Sequence, residues 1–368
     1  MKLNKIIIAG GGTGGHIFPA IAVAHALKRI LPAIEVLFVG AKGKMEMEKV
    51  PQAGYAIKGL DIVGFNRNAI LKNWSLPFKL MQSFIQVRNI FNQFKPDAVF
   101  GVGGYSSYPV LRYAQWKGIP TFLHEANSFA GKSNILLGTK AELVMTGTDG
   151  MEKFFKQGNL LKTGNPIRNE IASLNINREL AYEYFGMRDG KPVVLVMGGS
   201  LGARSINKAF SQGINKVLEA GVQLIWQTGK GNLELLPPSV RSKKGLCVTE
   251  FISKMDYAYA IADVVVSRAG AIALAEICAT GKPSVLVPFP LAAEDHQNVN
   301  AMHLVNQGAA IVVKDADAES KLVDQVLTLV SDKERCRAFS AAAKSLEVEH
   351  ADDLIAQYIV KGVEKRYA

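Results

Sequence analysis

The sequence predicts an α/β protein built from two doubly wound parallel sheets, and three observations lead to this fold class. The chain has 368 residues, more than a single domain of ~150 residues needs. Short β-branched runs alternate with stretches of helical periodicity, an order typical of parallel βαβ units. A glycine-rich turn follows the first strand of each half, in IIIAGGGTGGH and in VLVMGGSLGAR, so we expect one architecture to be used twice.

The predicted strands form two series, one for each sheet. The first series comprises 3–9, 35–39, 98–100, 120–123 and 143–146. The second series comprises 193–197, 223–227, 246–249, 263–267, 284–287 and 310–313. Turn-forming residues at 163–166 separate the two. We therefore expect an N-terminal domain over 1–164 and a C-terminal domain over 165–345, with a last helix within 346–368 that packs back on the first domain.

Composition narrows the class of protein. With 48% hydrophobic and 20% charged residues, the chain is typical of a folded globular enzyme. The net charge of +11 favours an anionic partner, which can be nucleic acid, an acidic membrane or a phosphorylated molecule. The three cysteines form no CxxC pair, a pattern that fits a reducing compartment. No run approaches the ~18 uncharged apolar residues of a spanning helix, so we expect any membrane contact to be peripheral.

The first glycine loop favours a bound diphosphate over a nicotinamide cofactor. It contains the dinucleotide pattern GxGxxG at Gly10, Gly12 and Gly15. That cofactor also needs an acidic residue at the end of the second strand, where the chain reads Val39-Gly40-Ala41-Lys42. Without this acid, the pattern predicts only a loop whose backbone N–H groups bind an anion, such as a diphosphate, at a helix N-terminus.

Two further glycine loops extend the anion-binding prediction. Residues 101–107 read GVGGYSS and residues 198–203 read GGSLGA, each between a strand and a helix. In doubly wound folds, ligands bind beyond the carboxyl ends of the strands. We therefore expect the two domains to face each other across a cleft that contains the active site.

Eight motifs together resemble one family of enzymes. They are GGTGGHIFPA, GVGGYSSYP, HEANSFAGKSN, TGNPIR, GGSLGARSIN, TEFI, SRAGAIALAE and PFPLAAEDHQNVNA. In this order and spacing, over essentially the whole chain, they resemble the MurG family of bacterial N-acetylglucosaminyltransferases. The resemblance implies a GT-B fold of two Rossmann-like domains, and no metal or cofactor. It also implies inverting transfer from UDP-N-acetylglucosamine to the muramyl 4-hydroxyl of a lipid-linked diphospho-muramyl-pentapeptide in peptidoglycan synthesis, at the cytoplasmic face of the membrane.

The resemblance also implies which residues bind the donor. They are Thr13, Gly14, Gly15, Asn127, Arg168, Ser200, Ile252, Ala271, Ile272, Ala273, Leu274, Ala275, Glu276 and Gln297. The Glu276 carboxylate can accept hydrogen bonds from the two ribose hydroxyls, and backbone groups near Ile252 can form hydrogen bonds with the uracil edge. Arg168 suits the diphosphate. The family usually has glutamine where this chain has Ala126, so one hydrogen bond to the donor sugar is not expected here.

The first domain contains the candidates for the acceptor site and the base. We expect the acceptor diphosphate on the first-domain loops, at Gly11, Gly12, Gly103, Gly104 and Tyr105. His16, at the edge of the first glycine loop, is the candidate general base, because an unperturbed pKa of ~6.5 suits proton removal near neutral pH. Glu125, at the end of a predicted strand, is the competing base or a partner of His16.

Two other patterns need an interpretation. Asp315-Ala316-Asp317 matches the DxD metal motif of another transferase class, but it opens a predicted helix, where acids act as caps. Residues 62–96 contain no acid and combine basic with apolar side chains, which predicts contact with an anionic membrane surface. The basic side chains are Arg67, Lys72, Lys79, Arg88 and Lys95, and the apolar ones Trp74, Leu76, Phe78, Leu80, Phe84 and Ile85.

Three alternatives stay open. A glycolipid synthase that uses another UDP-sugar and a diacylglycerol acceptor shares the class and differs in the substrates consumed. A nicotinamide-dependent oxidoreductase would explain the first glycine loop but not the glycine loop of the second domain. A nucleic-acid-binding protein accounts for the positive charge alone, and we expect no nucleic-acid partner.

Overall fold

A computed structural model describes residues 2–64, 76–156, 159–172, 176–199, 201–241, 243–292 and 295–367, apart from the side chains of Leu76, Pro77 and Tyr367. The chain divides into two compact units. Unit 1 contains residues 1–168 and 350–368, and unit 2 contains residues 169–349. The sequence predicted these boundaries at 164 and 346.

Unit 1 is built around a seven-stranded parallel sheet in the order β3-β2-β1-β4-β5-β6-β7. Its strands are β1 Lys5–Ala9, β2 Glu35–Ala41, β3 Ala56–Leu60, β4 Ala98–Gly101, β5 Thr121–Glu125, β6 Leu143–Thr146 and β7 Leu160–Lys162. Its helices are α1 Gly14–Ile30, α2 Glu46–Gln52, α3 Leu76–Phe94, α4 Ser107–Trp116, α5 Lys132–Gly138 and, from the end of the chain, α15 Ala351–Tyr367.

Unit 2 contains a six-stranded parallel sheet in the order β10-β9-β8-β11-β12-β13. Its strands are β8 Val193–Met197, β9 Gln223–Gln227, β10 Leu246–Thr249, β11 Val264–Ser267, β12 Ser284–Leu286 and β13 Ala310–Val312. Its helices are α6 Asn169–Ala172, α7 Arg178–Phe185, α8 Arg204–Glu219, α9 Pro238–Arg241, α10 Met255–Ile261, α11 Ala271–Ala279, α12 His296–Asn306, α13 Ala318–Ser331 and α14 Lys333–Ser345.

The apolar run of β1 shows why these segments form central strands. Ile6 and Ile8 belong to a core cluster that includes residues of α1 and α15. Ile7 points to the other face, into a cluster with residues of α3 and α4. A parallel strand covered by helices on both faces has no solvent side, so its sequence is apolar throughout instead of alternating.

Helix α15 packs on unit 1, where the sequence placed it. Ile355, Ile359 and Val363 are fully buried in the core on the α1 side of the sheet. A Cβ at Gly362 would lie 2.6 Å from Cε1 of Phe122 on β5, so the absence of a side chain there allows the helix to approach the sheet closely.

The strand directions determine where the functional loops lie. Every strand pair within each sheet is parallel, so the loops that follow the strands share one edge of their sheet. In unit 1 this edge carries 10–13, 102–106 and 126–131. In unit 2 it carries 198–203, 228–229, 250–254, 268–270 and 287–292. Among the described helices, none is long and apolar enough to span a bilayer.

Candidate active site

The two glycine loops of unit 1 pack against each other through their backbones. The N–H of Val102 donates to the carbonyl of Ala9. A Cβ at Gly104 would lie 2.6 Å from the carbonyl oxygen of Gly11, and a Cβ at Gly10 would lie 2.3 Å from Cγ2 of Val102. Side chains at these glycines would therefore push the loops apart, which explains why both loops need glycine.

A buried acid that the sequence analysis missed lies beneath the first glycine loop. Glu46, the first residue of α2, is 1% exposed. Its Oε2 accepts the N–H of Gly12 and its Oε1 the N–H of Ala41, both at 3.0 Å. The Gly12 N–H, expected to bind the acceptor diphosphate, is donated to Glu46 in this structure, and its contact to the acceptor stays a prediction. No sequence motif marks this contact, which depends on the fold around Gly11 and Gly40.

His16 lies in the first turn of α1, beside both glycine loops. Its Nδ1 is 3.2 Å from Oγ1 of Thr13, and a Cβ at Gly103 would be 3.2 Å from its Nε2. Burial lowers the pKa of His16 below 6.5, opposed by the carboxylates of Glu125 and Glu46 and by a hydrogen bond with the backbone of Gly11. A lowered pKa keeps the ring neutral near pH 7, the form that a general base requires.

Glu125, the other candidate base, is engaged in hydrogen bonds. It is 4% exposed at the end of β5. One carboxylate oxygen accepts the backbone N–H and the side-chain amide of Asn127, at 3.1 and 3.3 Å. The other accepts the N–H of Gly131 and the amide of Asn134, both at 2.9 Å. Four donors on one carboxylate suit it to holding the loop after β5 in place.

The remaining predicted residues of unit 1 surround these groups. Thr13 and Gly15 are exposed at the start of α1, and Gly14 is half-buried. The Tyr105 ring lies beside the first loop, since a Cβ at Gly12 would be 3.7 Å from its Cε1. Burial and the Glu46 carboxylate raise the pKa of Tyr105. The guanidinium of Arg168 lies 5.0 Å from the centre of the Phe18 ring, a cation–π contact within unit 1.

The glycine loop of unit 2 is also held by backbone packing. A Cβ at Gly202 would lie 1.9 Å from the carbonyl oxygen of Thr228, and one at Gly229 would lie 2.1 Å from the N atom of Gly202. Both glycines have positive φ, of 76° and 86°. Ser200, the predicted diphosphate ligand in this loop, lies outside the described residues.

Gln227, which the sequence analysis missed, joins two predicted donor-binding segments. Its side chain is 6% exposed at the end of β9. The amide nitrogen donates to the carbonyl of Gly199 at 3.1 Å, and the amide oxygen accepts the N–H of Ile252 at 3.0 Å. The N–H of Ile252, a predicted reader of the uracil edge, is therefore engaged with Gln227 in this structure. One side chain thus links the glycine loop to the segment after β10.

Helix α11 contains the predicted ribose ligand. Glu276 is 5% exposed, and its Oε2 accepts the hydroxyl hydrogen of Tyr259 at 3.2 Å. Leu274 is also buried. The other predicted residues of this helix, Ala271, Ile272, Ala273 and Ala275, are half-buried. Gln297, in the first turn of α12, accepts the N–H of Phe289 at 2.9 Å, so it ties this helix to the loop after β12.

The DxD motif opens a helix, as the sequence predicted. Asp315 begins a short 3₁₀ turn, and Asp317 is the N-cap residue of α13, although its side chain makes no capping hydrogen bond. Asp315 accepts from Arg268 and from the hydroxyl of Ser205, both at 2.5 Å. Asp317 pairs with Lys321 at 3.2 Å. Arg268, at the start of the loop after β11, is thereby fixed in position.

Comparisons with known proteins give one family for both parts of the chain. Residues 6–146 match the glycosyltransferase family 28 N-terminal domain, and residues 193–358 match its C-terminal domain. A curated relative from Phocaeicola vulgatus is 46% identical over 98% of this chain and 97% of its own length. One from Parabacteroides distasonis is 44% identical over all of both chains.

The two relatives share one name, and this chain aligns with a solved structure. Both are called UDP-N-acetylglucosamine–N-acetylmuramyl-(pentapeptide) pyrophosphoryl-undecaprenol N-acetylglucosamine transferase. The crystal structure of Acinetobacter baumannii MurG aligns with a TM-score of 0.71 at 27% identity, over 98% of this chain and 99% of that one. The match therefore extends over both units.

Proposed function

Because the chain belongs to glycosyltransferase family 28, we propose that it transfers N-acetylglucosamine from UDP-N-acetylglucosamine to the lipid-linked muramyl-pentapeptide that its relatives' name describes. The observation that carries the proposal is the full-length identity of about 45% to these relatives. It is supported by the glycine loops and predicted ligands, which follow the carboxyl ends of the strands in each unit, where doubly wound folds bind ligands.

Unit 2 supplies most of the proposed donor site. The N-terminus of α8, after the glycine loop, provides backbone N–H groups and a positive dipole end for the UDP diphosphate. Glu276 accepts hydrogen bonds from the ribose hydroxyls, with Tyr259 holding one of its oxygens. The segment at Ile252 contacts the uracil. Gln297 is the proposed contact of this unit to the sugar, while Asn127 and Arg168 are proposed contacts of unit 1.

Unit 1 supplies the proposed acceptor site and the base. His16 removes the proton from the muramyl 4-hydroxyl as its oxygen attacks the anomeric carbon of N-acetylglucosamine. The bond to the UDP oxygen breaks as the new bond forms on the opposite face, so the configuration inverts. We assign the base to His16 because its ring is half-buried and its pKa is lowered. Glu125, which accepts four hydrogen bonds, orients the loop beside it.

The departing UDP needs positive charge and hydrogen-bond donors. The α8 N-terminus and Arg168 meet this need in the proposal, so that no metal takes part. Asp315, the first acid of the DxD motif, is paired with Arg268 and is not proposed as a ligand. The transfer rate is measured with and without excess EDTA. Equal rates would support this mechanism, whereas a loss of activity that Mg²⁺ or Mn²⁺ restores would contradict it.

The ribose contact has a direct binding test. Glu276→Ala is expected to weaken UDP binding by isothermal titration calorimetry while the circular dichroism spectrum stays that of the wild type. Exposed Glu219, at the end of α8, provides a control, since Glu219→Ala is expected to bind UDP normally. Wild-type affinity in Glu276→Ala would remove Glu276 from the proposed donor site.

A second part of the proposal concerns the membrane at which the lipid-linked acceptor resides. Three apolar side chains of α3, at i, i+3 and i+7, are exposed: Phe78 by 66%, Met81 by 62% and Ile85 by 57%. Trp116 on α4 is 60% exposed and stacks on Phe84 of α3. We call Phe78, Met81, Ile85 and Trp116 the apolar patch. Large exposed apolar patches mark interaction sites.

Basic residues accompany the apolar patch. Arg88 and Lys117 are exposed, and Arg112 lies over the Trp116 ring at 5.7 Å. Arg67, Lys72 and Trp74, which the sequence analysis included, lie outside the described residues. Basic and apolar side chains on one face suit an anionic headgroup layer. We therefore propose peripheral binding to the cytoplasmic face of the membrane through this face.

Vesicle sedimentation tests the membrane proposal. Replacing Phe78, Met81 and Ile85 by serine is expected to abolish sedimentation with phosphatidylglycerol vesicles, because the variant loses the aromatic and aliphatic contacts. Leu235→Ser, which changes a 75% exposed residue of unit 2, is the matched control and is expected to sediment like the wild type. Undiminished sedimentation of the triple variant would contradict the proposed surface.

Assays with a panel of UDP-sugars and both acceptors distinguish the proposed enzyme from a glycolipid synthase. A glycolipid synthase would consume another UDP-sugar with diacylglycerol, whereas the proposed enzyme consumes UDP-N-acetylglucosamine only with the muramyl acceptor. Product from diacylglycerol and none from the muramyl acceptor would replace the proposed substrate with the rival one.

A further inference from the structure

The carboxylate of Glu46 is buried, and this burial needs a physical explanation. Burying a carboxylate costs several kcal/mol unless hydrogen bonds or a cation compensate. Among the described residues, no lysine or arginine forms an ion pair with it. The buried charge also lies beneath a loop whose sequence favours an anion, so its position disfavours the ligand that the loop predicts. Two backbone N–H groups compensate the burial, but the position of this charge beneath an anion-favouring loop still needs a role to account for it.

The backbone around the Glu46 side chain leaves a closely fitting space for it. A Cβ at Gly11 would lie 2.2 Å from its Oε1, and a Cβ at Gly40 would lie 2.5 Å from its Cγ. Gly11 has a φ of 151°. Two glycines therefore leave room for the Glu46 side chain, and the N–H groups of Gly12 and Ala41 hold both of its oxygens. The first glycine loop is thus built around the carboxylate.

The same loop connects Glu46 to His16. Gly11 lies against the carboxylate on one side, and its backbone acts on the imidazole from the other, where it raises the pKa of His16. The titratable groups that face the His16 ring within the described residues are Glu46 from α2 and Glu125 and His124 from β5. His124 is held by the carbonyl of Gly164 at 2.9 Å. Two carboxylates from different elements therefore act on one half-buried imidazole.

We propose that Glu46 is a positioning residue for His16: its carboxylate fixes the glycine loop beside the imidazole and stabilises the imidazolium that forms when His16 accepts a proton. Glu125, at the end of β5, supplies the second negative charge that acts on the imidazole. The catalytic part of this inference rests on the proposed function, in which His16 is the base. The positioning part concerns the titration of one ring and needs neither substrate nor turnover.

The sign of a pKa change separates the electrostatic role from a merely structural one. If the Glu46 charge stabilises the imidazolium, removing it lowers the pKa of His16 further below 6.5. If Glu46 only holds the loop together, its loss hydrates the ring, and the pKa rises towards 6.5, because burial is the largest cause of the lowering. The two effects act on the pKa in opposite directions, and the proposal requires the charge effect to be the larger, so that removing the charge lowers the pKa of His16.

Histidine NMR of the full chain measures this shift. The protein has six histidines, and His16→Gln identifies the His16 resonance. In Glu46→Gln the His16 pKa is expected to fall relative to the wild type. Glu48→Gln is the matched control, since it removes an equal charge from α2 at a side chain that is 66% exposed, and it is expected to leave the pKa unchanged. An unchanged or raised pKa in folded Glu46→Gln would overturn the proposal.

A second variant keeps the test decisive if Glu46→Gln does not fold. Glu46→Asp retains the charge but withdraws it by one methylene, so a smaller fall in the His16 pKa is expected. A rise or no change in Glu46→Asp would likewise overturn the proposal. If the wild type proves inactive as a transferase while the titrations behave as expected, the proposed function fails and the electrostatic coupling of Glu46 to His16 stands.

Discussion

Gln227 offers a quantitative test of how the donor site is built. Replacing it by leucine keeps the approximate volume but removes both hydrogen bonds of its amide. The buried N–H of Ile252 loses the acceptor shown for it, at a cost of about 1–3 kcal/mol. The carbonyl of Gly199 still accepts from Gly202, so its loss is one ordinary bond of about 0.5–1.5 kcal/mol. The sum is a destabilisation of about 1.5–4.5 kcal/mol.

The two readouts for Gln227→Leu are unfolding temperature and UDP affinity. A domain the size of unit 2 loses about 2–4 °C per kcal/mol, so its transition is expected to fall by about 3–18 °C. Fluorescence of Trp226, fully buried in unit 2, reports this transition. Because the glycine loop and the Ile252 segment are no longer linked, UDP is expected to bind on the order of tenfold more weakly, a change of about 1.4 kcal/mol.

Gln212→Leu is the matched control for this prediction. Gln212 is exposed on α8 of the same unit, and a surface substitution changes stability by no more than about 0.5 kcal/mol. A Gln227→Leu protein that unfolds within about 2 °C of the control and binds UDP equally well would refute the reasoning, because the two hydrogen bonds would then contribute nothing to the segment's position.

Three further predictions follow from the structure. The pKa of His16 lies below 6.5, so kcat/KM is expected to fall only as pH drops through that lowered value, and an acid limb centred above 6.5 would contradict His16 as the base. Asp315→Ala leaves the 13% exposed Arg268 side chain without its carboxylate and is expected to destabilise unit 2 by about 1–3 kcal/mol; urea unfolding unchanged from wild type would show that the pair contributes little. Ile359→Ala, in the fully buried face of α15, is expected to cost about 2–5 kcal/mol, and a loss below about 1 kcal/mol in urea titration would contradict the packing of this helix on unit 1.

Much of the fold was predictable because buried parallel strands have a distinctive sequence. The isoleucines of β1 and the valines of β8 form continuous apolar runs, which covering both faces of a sheet requires. The structure adds β3 and β7, which the sequence analysis missed. Both are edge strands whose residues, apart from the buried Leu60, are half-exposed or exposed, so neither has the apolar run that marked the central strands.

The candidate site was predictable only where its residues lie in glycine loops. His16 and the loops were found because a strand, a glycine turn and a helix follow in order along the chain. Glu46 and Gln227 were missed, because each acts through backbone groups distant in sequence, as Glu46 does on Gly12. Asp315 was assigned a local capping role, yet its partner, Arg268, comes from another strand's loop. Pairings made by tertiary structure leave no local pattern.

Sugar transfer itself tests the central claim most directly. Radiolabelled UDP-N-acetylglucosamine is incubated with a short-chain lipid-diphosphate muramyl-pentapeptide in EDTA, with wild type and His16→Ala compared. We predict labelled disaccharide product from the wild type and a loss of about 100-fold or more in His16→Ala, the scale of a general base. Full activity in the variant would transfer the role of base to Glu125 or another group, and the absence of product from wild type would contradict the proposed function.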